Sequence, residues 1–326
     1  MNAIPDPAPS ASAATRLDFS GGPVSGNLDV RWIHGHPADR PDRDPPIQVH
    51  GYDAHTFILR QSKAVHAEAP FLYLLFGNDR ALLLDTGATE DGERFPLRAT
   101  IDDLIDRWLQ AHPRQGYELV VAHSHAHADH VAGDGQFADR PATTLVPTAL
   151  HPMRAFWGFD DRPEGVARYD LGGRELDIVA CPGHHETAIA IFDPWSGFLL
   201  TGDTVYPGRL FVADTAAFTA SLECLVDFAA SRGVTHVMGG HVEMTRRPGR
   251  DHALGALYQP DEPPLQLAPR TITDVRGAAI SIAGRRGVHS FDAFLIVNRP
   301  RLPTMLRMAA RGLWHRLRRW RPVRRR

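Results

Sequence analysis

The sequence predicts a layered α/β fold in which sheets are buried against helices. Short runs rich in β-branched and aromatic residues, bounded by Gly, Asn and Asp, recur from Ile47 onward and are typical of strands. TIDDLIDRWLQ places apolar residues at helical spacing, and LECLVDFAASRG repeats this pattern later in the chain. Strands that alternate with amphipathic helices indicate a layered fold, because each apolar helix face must be buried against a sheet.

The predicted strands and helices follow a definite order along the chain. IQVHGY, HTFILRQ, FLYLLFG and RALLLDTG precede the first helix, ELVVA runs into a histidine-rich loop, and TTLVP, ELDIVAC, TAIAIFD, GFLLTGD and THVMGG come after that loop. The second helix is expected to end at Gly233, because glycine commonly follows the last helical residue. Beyond His241 we expect a Pro-rich connection and two β-like runs, AAISIAG and FDAFLIV.

Composition divides the chain into four parts. Residues 1–45 are dense in Pro, Gly, Asp and Arg, which suits a partly disordered leader or a wrapping loop. Residues 46–255 hold the main domain, and residues 256–300 a linker with short strands. Residues 301–326 form an Arg-rich tail.

Charge and cysteine content narrow the functional classes. The 326 residues carry a formal net charge of -2, so the chain as a whole has no electrostatic reason to bind nucleic acid, and no nucleic-acid partner is expected. Two cysteines are too few for a disulfide framework, and no stretch reaches the roughly 18 apolar residues of a membrane span. With no export signal recognisable either, we expect a cytoplasmic protein.

The C-terminal tail differs in charge from the rest of the chain, because residues 301–326 contain ten arginines and no acid. Interspersed among the arginines are the apolar residues Met305, Met308, Leu313, Trp314, Leu317 and Trp320. The segment could form an amphipathic helix on an anionic membrane surface or along nucleic acid, or it could simply be solvated. A weak membrane-surface contact is therefore one candidate partnership, beside a small-molecule substrate and a homodimer.

The densest cluster of candidate metal ligands follows the ELVVA strand. Four histidines and an aspartate fall within the eight residues HSHAHADH, from His123 to His130. His125 and His127 are two residues apart in an extended stretch, so both point to the same side and can bind one ion. Asp129 and His130 fall on the following turn and can address a second ion. Imidazole and carboxylate are ligands that suit zinc, iron or manganese.

The H-x-H-x-D-H motif at 125–130 resembles the signature of the metallo-β-lactamase superfamily, and further elements of that pattern follow in the same order. LLLDTG at 82–87 resembles the family's early strand, with Asp85 beside the site. CPGHHET supplies His184, TGDT supplies Asp203, and THVMGGH supplies His241. The resemblance covers roughly residues 47–250 and implies a four-layer αβ/βα sandwich, here with an N-terminal extension and a short C-terminal segment that contains strands.

The resemblance also implies a dinuclear metal site. His125, His127 and His184 would hold one ion, Asp129, His130 and His241 the other, and Asp203 would bridge both. Two divalent ions, expected to be Zn²⁺ with Mn²⁺ or Fe²⁺ as alternatives, would generate a bridging hydroxide as the nucleophile. Asp129 could transfer the proton of that hydroxide to the leaving group. The chain is therefore expected to be a metallo-hydrolase.

Residues beside the ligands are assigned supporting roles. Tyr206, three residues after Asp203, resembles the tyrosine with which lactonases of this family stabilise an oxyanion. His185 and Glu186 could orient a ligand, and His123, one step outside the motif, is expected either behind the ligands or within the sheet. Cys181 is expected to be a small buried side chain rather than a ligand.

The substrate is not determined by these residues, because the same site serves several chemistries. The Tyr206 spacing favours a carboxylic ester or a lactone. A thioesterase of the hydroxyacylglutathione-hydrolase type is an alternative, although such enzymes usually carry a helical C-terminal domain that is not evident here. A mononuclear-iron persulfide dioxygenase is a second alternative, and a nuclease is less favoured because only the tail supports it.

Overall fold

The computed structural model describes residues 15–37, 39–41, 43–159 and 165–319, with side chains described as far as Leu313. The strands are β1 Ile47–Gly51, β2 Thr56–Gln61, β3 Phe71–Phe76, β4 Arg80–Leu84, β5 Glu118–Ala122, β6 Thr143–Leu145, β7 Val166–Asp170, β8 Glu175–Ala180, β9 Ile189–Asp193, β10 Phe198–Gly202, β11 Arg209–Val212, β12 His236–Gly239, β13 Gln266–Leu267, β14 Gly287–Ser290 and β15 Leu295–Asn298. The helices are α1 Leu97–Ala111, α2 Ala128–Val131, α3 Leu150–Trp157, α4 Thr215–Ser231, α5 Arg270–Ile282 and α6 Leu302–Arg319, with a 3₁₀ helix at Ala132–Gln136.

Two six-stranded sheets form the centre of the fold. The first has the order β1-β2-β3-β4-β5-β6, antiparallel through β4 and parallel from β4 to β6. The second has the order β13-β12-β10-β9-β8-β7, in which only β10 and β12 are parallel. A third sheet, β11-β15-β14, lies beside them. Among the described residues, no helix is both long and apolar enough to cross a membrane.

Three hydrophobic cores separate four layers. Successive side chains of a strand point to opposite faces of its sheet, so Leu82 faces the core between the two sheets while Leu83 faces the core under α1. Trp108 and Ile101 of α1 bury themselves in that outer core. On the far side, α4 and α5 cover the second sheet. The layered α/β fold predicted from the sequence is present as helix, sheet, sheet and helix.

The run AAISIAG is a helix, so the strand prediction for it was wrong. It belongs to α5, whose side chains Ile272, Val275, Ala279 and Ile282 are buried at helical spacing against α4. The short apolar run matches a strand when it is taken alone, and only the residues before it reveal the longer helical period. The other predicted strand of this region is present as β15.

The N-terminal extension lies against the sheets from Thr15 onward. The Val24 amide donates to the Trp195 carbonyl over 2.8 Å, and the Tyr52 hydroxyl donates to the Val24 carbonyl over 2.7 Å. Phe19 is buried against Trp195. Residues 15–37 therefore form the wrapping loop that was one of the two expectations for this segment, and residues 1–14 lie outside the described part of the chain.

Candidate metal centre

The sheet topology brings the candidate ligands to one edge of the molecule. Strands β4 and β5 are parallel neighbours in one sheet, and β10 and β12 are parallel neighbours in the other. Asp85 directly follows β4, the histidine-rich loop follows β5, Asp203 follows β10, and His241 comes two residues after β12. His184 joins them from the loop after β8. Four strand ends and one loop thus bring the candidate ligands together.

Three imidazoles form the first group of donors, His125, His127 and His184. His125 Nε2 lies 2.9 Å from His127 Nδ1 and 3.2 Å from His184 Nε2, and the last two nitrogens are 3.0 Å apart. The extended backbone of His127, which precedes α2, places its ring beside that of His125. Three ring nitrogens that face one point are an arrangement typical of a bound metal ion.

The second group combines two imidazoles with two carboxylates, Asp129, His130, Asp203 and His241. His130 Nε2 and His241 Nε2 are 3.3 Å apart, and Asp129 Oδ2 lies 3.3 Å from the His241 nitrogen. Asp203 Oδ1 lies 3.5 Å from both ring nitrogens. Its other oxygen, Oδ2, lies 3.8 Å from His184 Nε2 of the first group. Asp203 is therefore the side chain that lies between the two groups.

Two observations test whether a metal ion fits between these residues. Asp203 Oδ1 is buried and has no hydrogen-bond partner among the described residues, although a buried carboxylate oxygen needs a compensating positive group. Gly240 borders the same space, where an added Cβ would come within 2.8 Å of Asp203 Oδ1 and 3.0 Å of His130 Cε1. The chain thus keeps room beside an unsatisfied anionic oxygen, and the donor set fits a divalent cation.

Electrostatics differ between the two groups of donors. Burial lowers the pKa of His125 well below its ordinary value, and burial together with His184 lowers the pKa of His127 to about 4. Burial would also lower the pKa of His241, but Asp203 and Asp129 outweigh it and raise that pKa to about 9. The difference arises because both carboxylates lie in the second group. In the first group, His125 and His127 thus favour the neutral form that metal binding requires.

Backbone carbonyls and one carboxylate orient the ligand rings. His184 Nδ1 donates to the Phe211 carbonyl over 2.8 Å, and His241 Nδ1 donates to the Glu68 carbonyl over 3.2 Å. His130 Nδ1 donates to Asp85 Oδ2 over 2.8 Å. Each of these three contacts leaves Nε2 as the nitrogen that faces the site.

Asp85 orients more than the His130 ring. Besides His130, it accepts from the Ser124 amide over 2.7 Å and from the Ser124 hydroxyl over 2.9 Å, and it is almost fully buried. Its carboxylate therefore fixes both the imidazole of a ligand and the start of the histidine-rich loop.

Replacing Asp85 with Asn is expected to weaken metal binding about 10–100-fold, the usual effect of removing a carboxylate behind a ligand histidine. The amide keeps the shape of the side chain but lacks the charge that makes the His130 ring a better donor. Metal affinity is measured by competition with a chromophoric chelator. Asp79→Asn, which alters an exposed ion pair with Arg16, is the matched control and should bind metal like the wild type. Equal affinities for both variants would contradict the role given to Asp85.

Comparison with protein families gives the superfamily of the chain. The model of the metallo-β-lactamase superfamily matches residues 68–241, more than half of the chain, and this range includes both groups of donors. The chain belongs to the metallo-β-lactamase superfamily. The family predicted from the H-x-H-x-D-H motif is confirmed, and so is the α/β fold class.

Individual relatives of this metallo-β-lactamase superfamily member are distant. A hydroxyacylglutathione hydrolase of Rhizobium meliloti (strain 1021) is 29% identical over 113 residues, which cover 33% of this chain and 44% of that protein. Acyl-coenzyme A thioesterase MBLAC2 of Gallus gallus is 24% identical over 207 residues, or 53% of this chain and 72% of that protein. The chain thus spans less than half the length of the first of these relatives.

Solved structures of similar shape include metallo-β-lactamases. The structure of the DIM-1 metallo-β-lactamase is 14% identical with a TM-score of 0.46, covering 73% of this chain and 98% of that one. A metallo-β-lactamase from Erythrobacter litoralis is 17% identical with a TM-score of 0.49 and the same coverage.

The Tyr206 hydroxyl is held by two neighbouring acceptors. It lies 2.5 Å from the Arg209 carbonyl and 3.2 Å from Glu243 Oε2, and both are acceptors for its single proton. The ring is buried beside that of His241. Because the hydroxyl is held by these two acceptors, it would have to leave one of them to contact a substrate, and the oxyanion role of Tyr206 stays a prediction.

Other residues singled out in the sequence have structural contacts instead. His123 is buried, and its Nε2 donates to Asp134 Oδ1 over 2.8 Å. His185 forms a hydrogen bond with the Thr187 hydroxyl over 2.8 Å, and its ring packs edge-on against that of His127 with centroids 4.7 Å apart. Cys181 is fully buried beside Thr204, which agrees with the expectation of a small packed side chain. Burial raises the pKa of its thiol to about 12.

Proposed function

We propose that this chain is a dinuclear metal-dependent hydrolase that cleaves acyl thioesters. The observation that carries the dinuclear site is the position of Asp203, whose two oxygens face two separate groups of donors. His125, His127 and His184 would hold one ion, Asp129, His130 and His241 the other, with Asp203 shared. Zn²⁺ is the proposed metal, because tetrahedral sites of imidazole and carboxylate suit it.

When bound, two divalent ions would lower the pKa of coordinated water and polarise the carbonyl of the substrate. The chain's own contribution is to hold seven donors in place from strand ends and short loops. Asp129 is the partly exposed carboxylate of the set, since 24% of its side chain is accessible. A carboxylate at the open side of the site can accept a proton there and return it to a departing thiolate.

Thioesters are preferred over lactones for two reasons. The Tyr206 hydroxyl, which was the reason to expect a lactone, is held by Arg209 and Glu243. The relatives are named hydroxyacylglutathione hydrolase and acyl-coenzyme A thioesterase, and both names describe cleavage of a thioester. Carboxylic esters and lactones remain as comparison substrates. A small-molecule substrate, a cytoplasmic location and a homodimer stay predictions.

The test compares kcat/KM for three acyl compounds under the same conditions: a hydroxyacyl thioester of glutathione, an acyl-coenzyme A and a lactone. We expect at least about tenfold preference for a thioester, because the carbonyl of a thioester is more readily attacked and the lactonase hydroxyl is engaged elsewhere. Comparable or faster cleavage of the lactone would contradict the proposed thioester substrate, but it would not contradict the dinuclear site. Oxygen uptake with a persulfide and no hydrolysis would favour the iron-dependent dioxygenase instead.

A further inference from the structure

The last helix, α6, has a composition unlike the rest of the chain. Residues 301–326 hold ten of the 36 basic residues and none of the 38 acidic ones. The remaining 300 residues therefore combine 26 basic with 38 acidic residues, a formal charge of -12. A net positive C-terminal segment is thus joined to a net acidic remainder.

One edge of α6 packs against the body of the protein. Gly312 is buried, and a Cβ there would come within 2.1 Å of the Leu254 carbonyl oxygen. Thr304 and Met308 are half-buried, and with Gly312 they recur every four residues along one side of the helix. Arg311 fixes this edge through Asp251, donating to its carboxylate over 2.8 Å and to its carbonyl over 2.7 Å.

The opposite side of α6 carries an exposed apolar stripe, defined here as Leu302, Leu306 and Leu313. Their exposed fractions are 71%, 59% and 58%. Positions separated by four and eleven residues fall within about 40° of one another on a helix, so the three side chains form one line. In the described part of the chain, four of the seven exposed large apolar residues lie on this helix, Met305 being the fourth. Such clustering marks an interaction surface rather than scattered exposure.

We propose that α6 binds the surface of an anionic lipid membrane, with the leucine stripe in the interface and the net positive charge of the segment attracting the headgroups. A helix of low overall hydrophobicity with a leucine face and arginine-rich flanks has the composition of an interfacial helix. Charge complementarity selects an anionic surface, because each arginine near such a surface adds attraction. The acidic remainder of the chain is repelled, so the helix side faces the membrane.

The leucines distinguish a membrane from the two other occupants of such a surface. Nucleic acid would use the arginines but would leave the leucine stripe in water, since phosphate contacts need no apolar surface. A second copy of the helix would cover the leucines but would bring two acid-free arginine segments together. An anionic membrane satisfies both features at once.

The test is flotation of the full chain with vesicles of phosphatidylcholine alone and of phosphatidylcholine mixed with phosphatidylglycerol. We expect the wild type to float with the anionic vesicles. The double variant Leu306→Glu/Leu313→Glu should lose at least about tenfold in partitioning, because two exposed leucines that would enter the interface are replaced by charges that the anionic headgroups repel. Ile280→Glu, a change at a 48% exposed position of α5, is the matched control and should float like the wild type.

Several results would overturn the proposal. These are absence of vesicle binding by the wild type, equal binding by the double variant, and equal binding to neutral and anionic vesicles. Duplex DNA binding that the double variant retains, without vesicle binding, would assign the helix to nucleic acid. A wild-type dimer that becomes a monomer in the double variant, without vesicle binding, would assign it to self-association. Circular dichroism and metal content should match the wild type throughout, since the leucines are exposed.

Discussion

Replacing Asp203 with Asn is expected to reduce turnover by about 10³-fold and to lower metal content below two ions per chain. Asp203 lies between the two groups of donors, and one of its buried oxygens has no partner in the described part of the protein. An amide presents one oxygen and one NH₂ group and carries no charge, so it cannot bridge two cations. Losing several kcal/mol of transition-state stabilisation corresponds to this fall in rate.

The matched control for this variant is Asp79→Asn, which alters an exposed carboxylate far from the donors and should keep full activity. Turnover is measured on the preferred thioester, and metal content by elemental analysis of the same samples. Circular dichroism verifies that the fold is retained. Wild-type turnover by the Asn variant would show that reaction does not depend on a carboxylate shared between two metals.

Replacing Asp193 with Ala is expected to destabilise the protein by about 3–5 kcal/mol, as is usual when one partner of a buried ion pair is removed. Asp193 and Arg174 are both almost completely buried, and two guanidinium nitrogens lie 3.0 and 2.5 Å from the two carboxylate oxygens. Arg174 also donates to the carbonyls of His55 and Phe76 in the other sheet region. The truncation leaves a buried cation whose remaining partners are neutral.

The pair also predicts the direction of a pH effect. Burial would raise the pKa of Asp193, but Arg174 outweighs it and holds that pKa below its ordinary value. A carboxyl with a lowered folded-state pKa stabilises the protein above its unfolded-state pKa, and this stabilisation is lost as pH falls through the folded value. The difference in stability between wild type and variant should therefore shrink in acid.

Thermal and urea unfolding measure this prediction, with an expected fall in midpoint on the order of 10 °C. Glu175→Ala is the matched control, because it breaks an ion pair with Arg168 in which the side chains are 55% and 63% exposed. That change should cost less than about 1 kcal/mol. A similar loss in both variants would contradict the importance given to the burial of the Asp193 pair.

The ligand cluster could be predicted from the sequence because its members are chemically distinctive and closely spaced. His125, His127, Asp129 and His130 fall within six consecutive residues, and the structure brings His184, Asp203 and His241 to them. Short apolar runs bounded by Gly, Asn and Asp likewise predicted most strands of both sheets, because strands such as β3 and β10 are buried on both faces. Long amphipathic helices such as α1 and α4 could also be predicted, because their apolar residues repeat at the helical period.

Features that depend on backbone position could not be predicted. The carbonyls of Phe211 and Glu68 orient two ligand histidines, yet every residue carries a carbonyl and no residue type signals this use. Gly240 leaves room beside Asp203, but the sequence does not show which atoms a Cβ at this position would contact. Tyr206 has the expected spacing, while the direction of its hydroxyl depends on Arg209 and Glu243, which reach it through folding.

The dinuclear site is tested most directly by elemental analysis of protein purified without added metal, together with anomalous diffraction from its crystals. The two groups of donors joined by Asp203 predict two divalent ions per chain, one near His125, His127 and His184 and the other near Asp129, His130 and His241. A single iron per chain, or a metal bound outside these seven residues, would contradict the two-metal site and the hydrolase proposed from it.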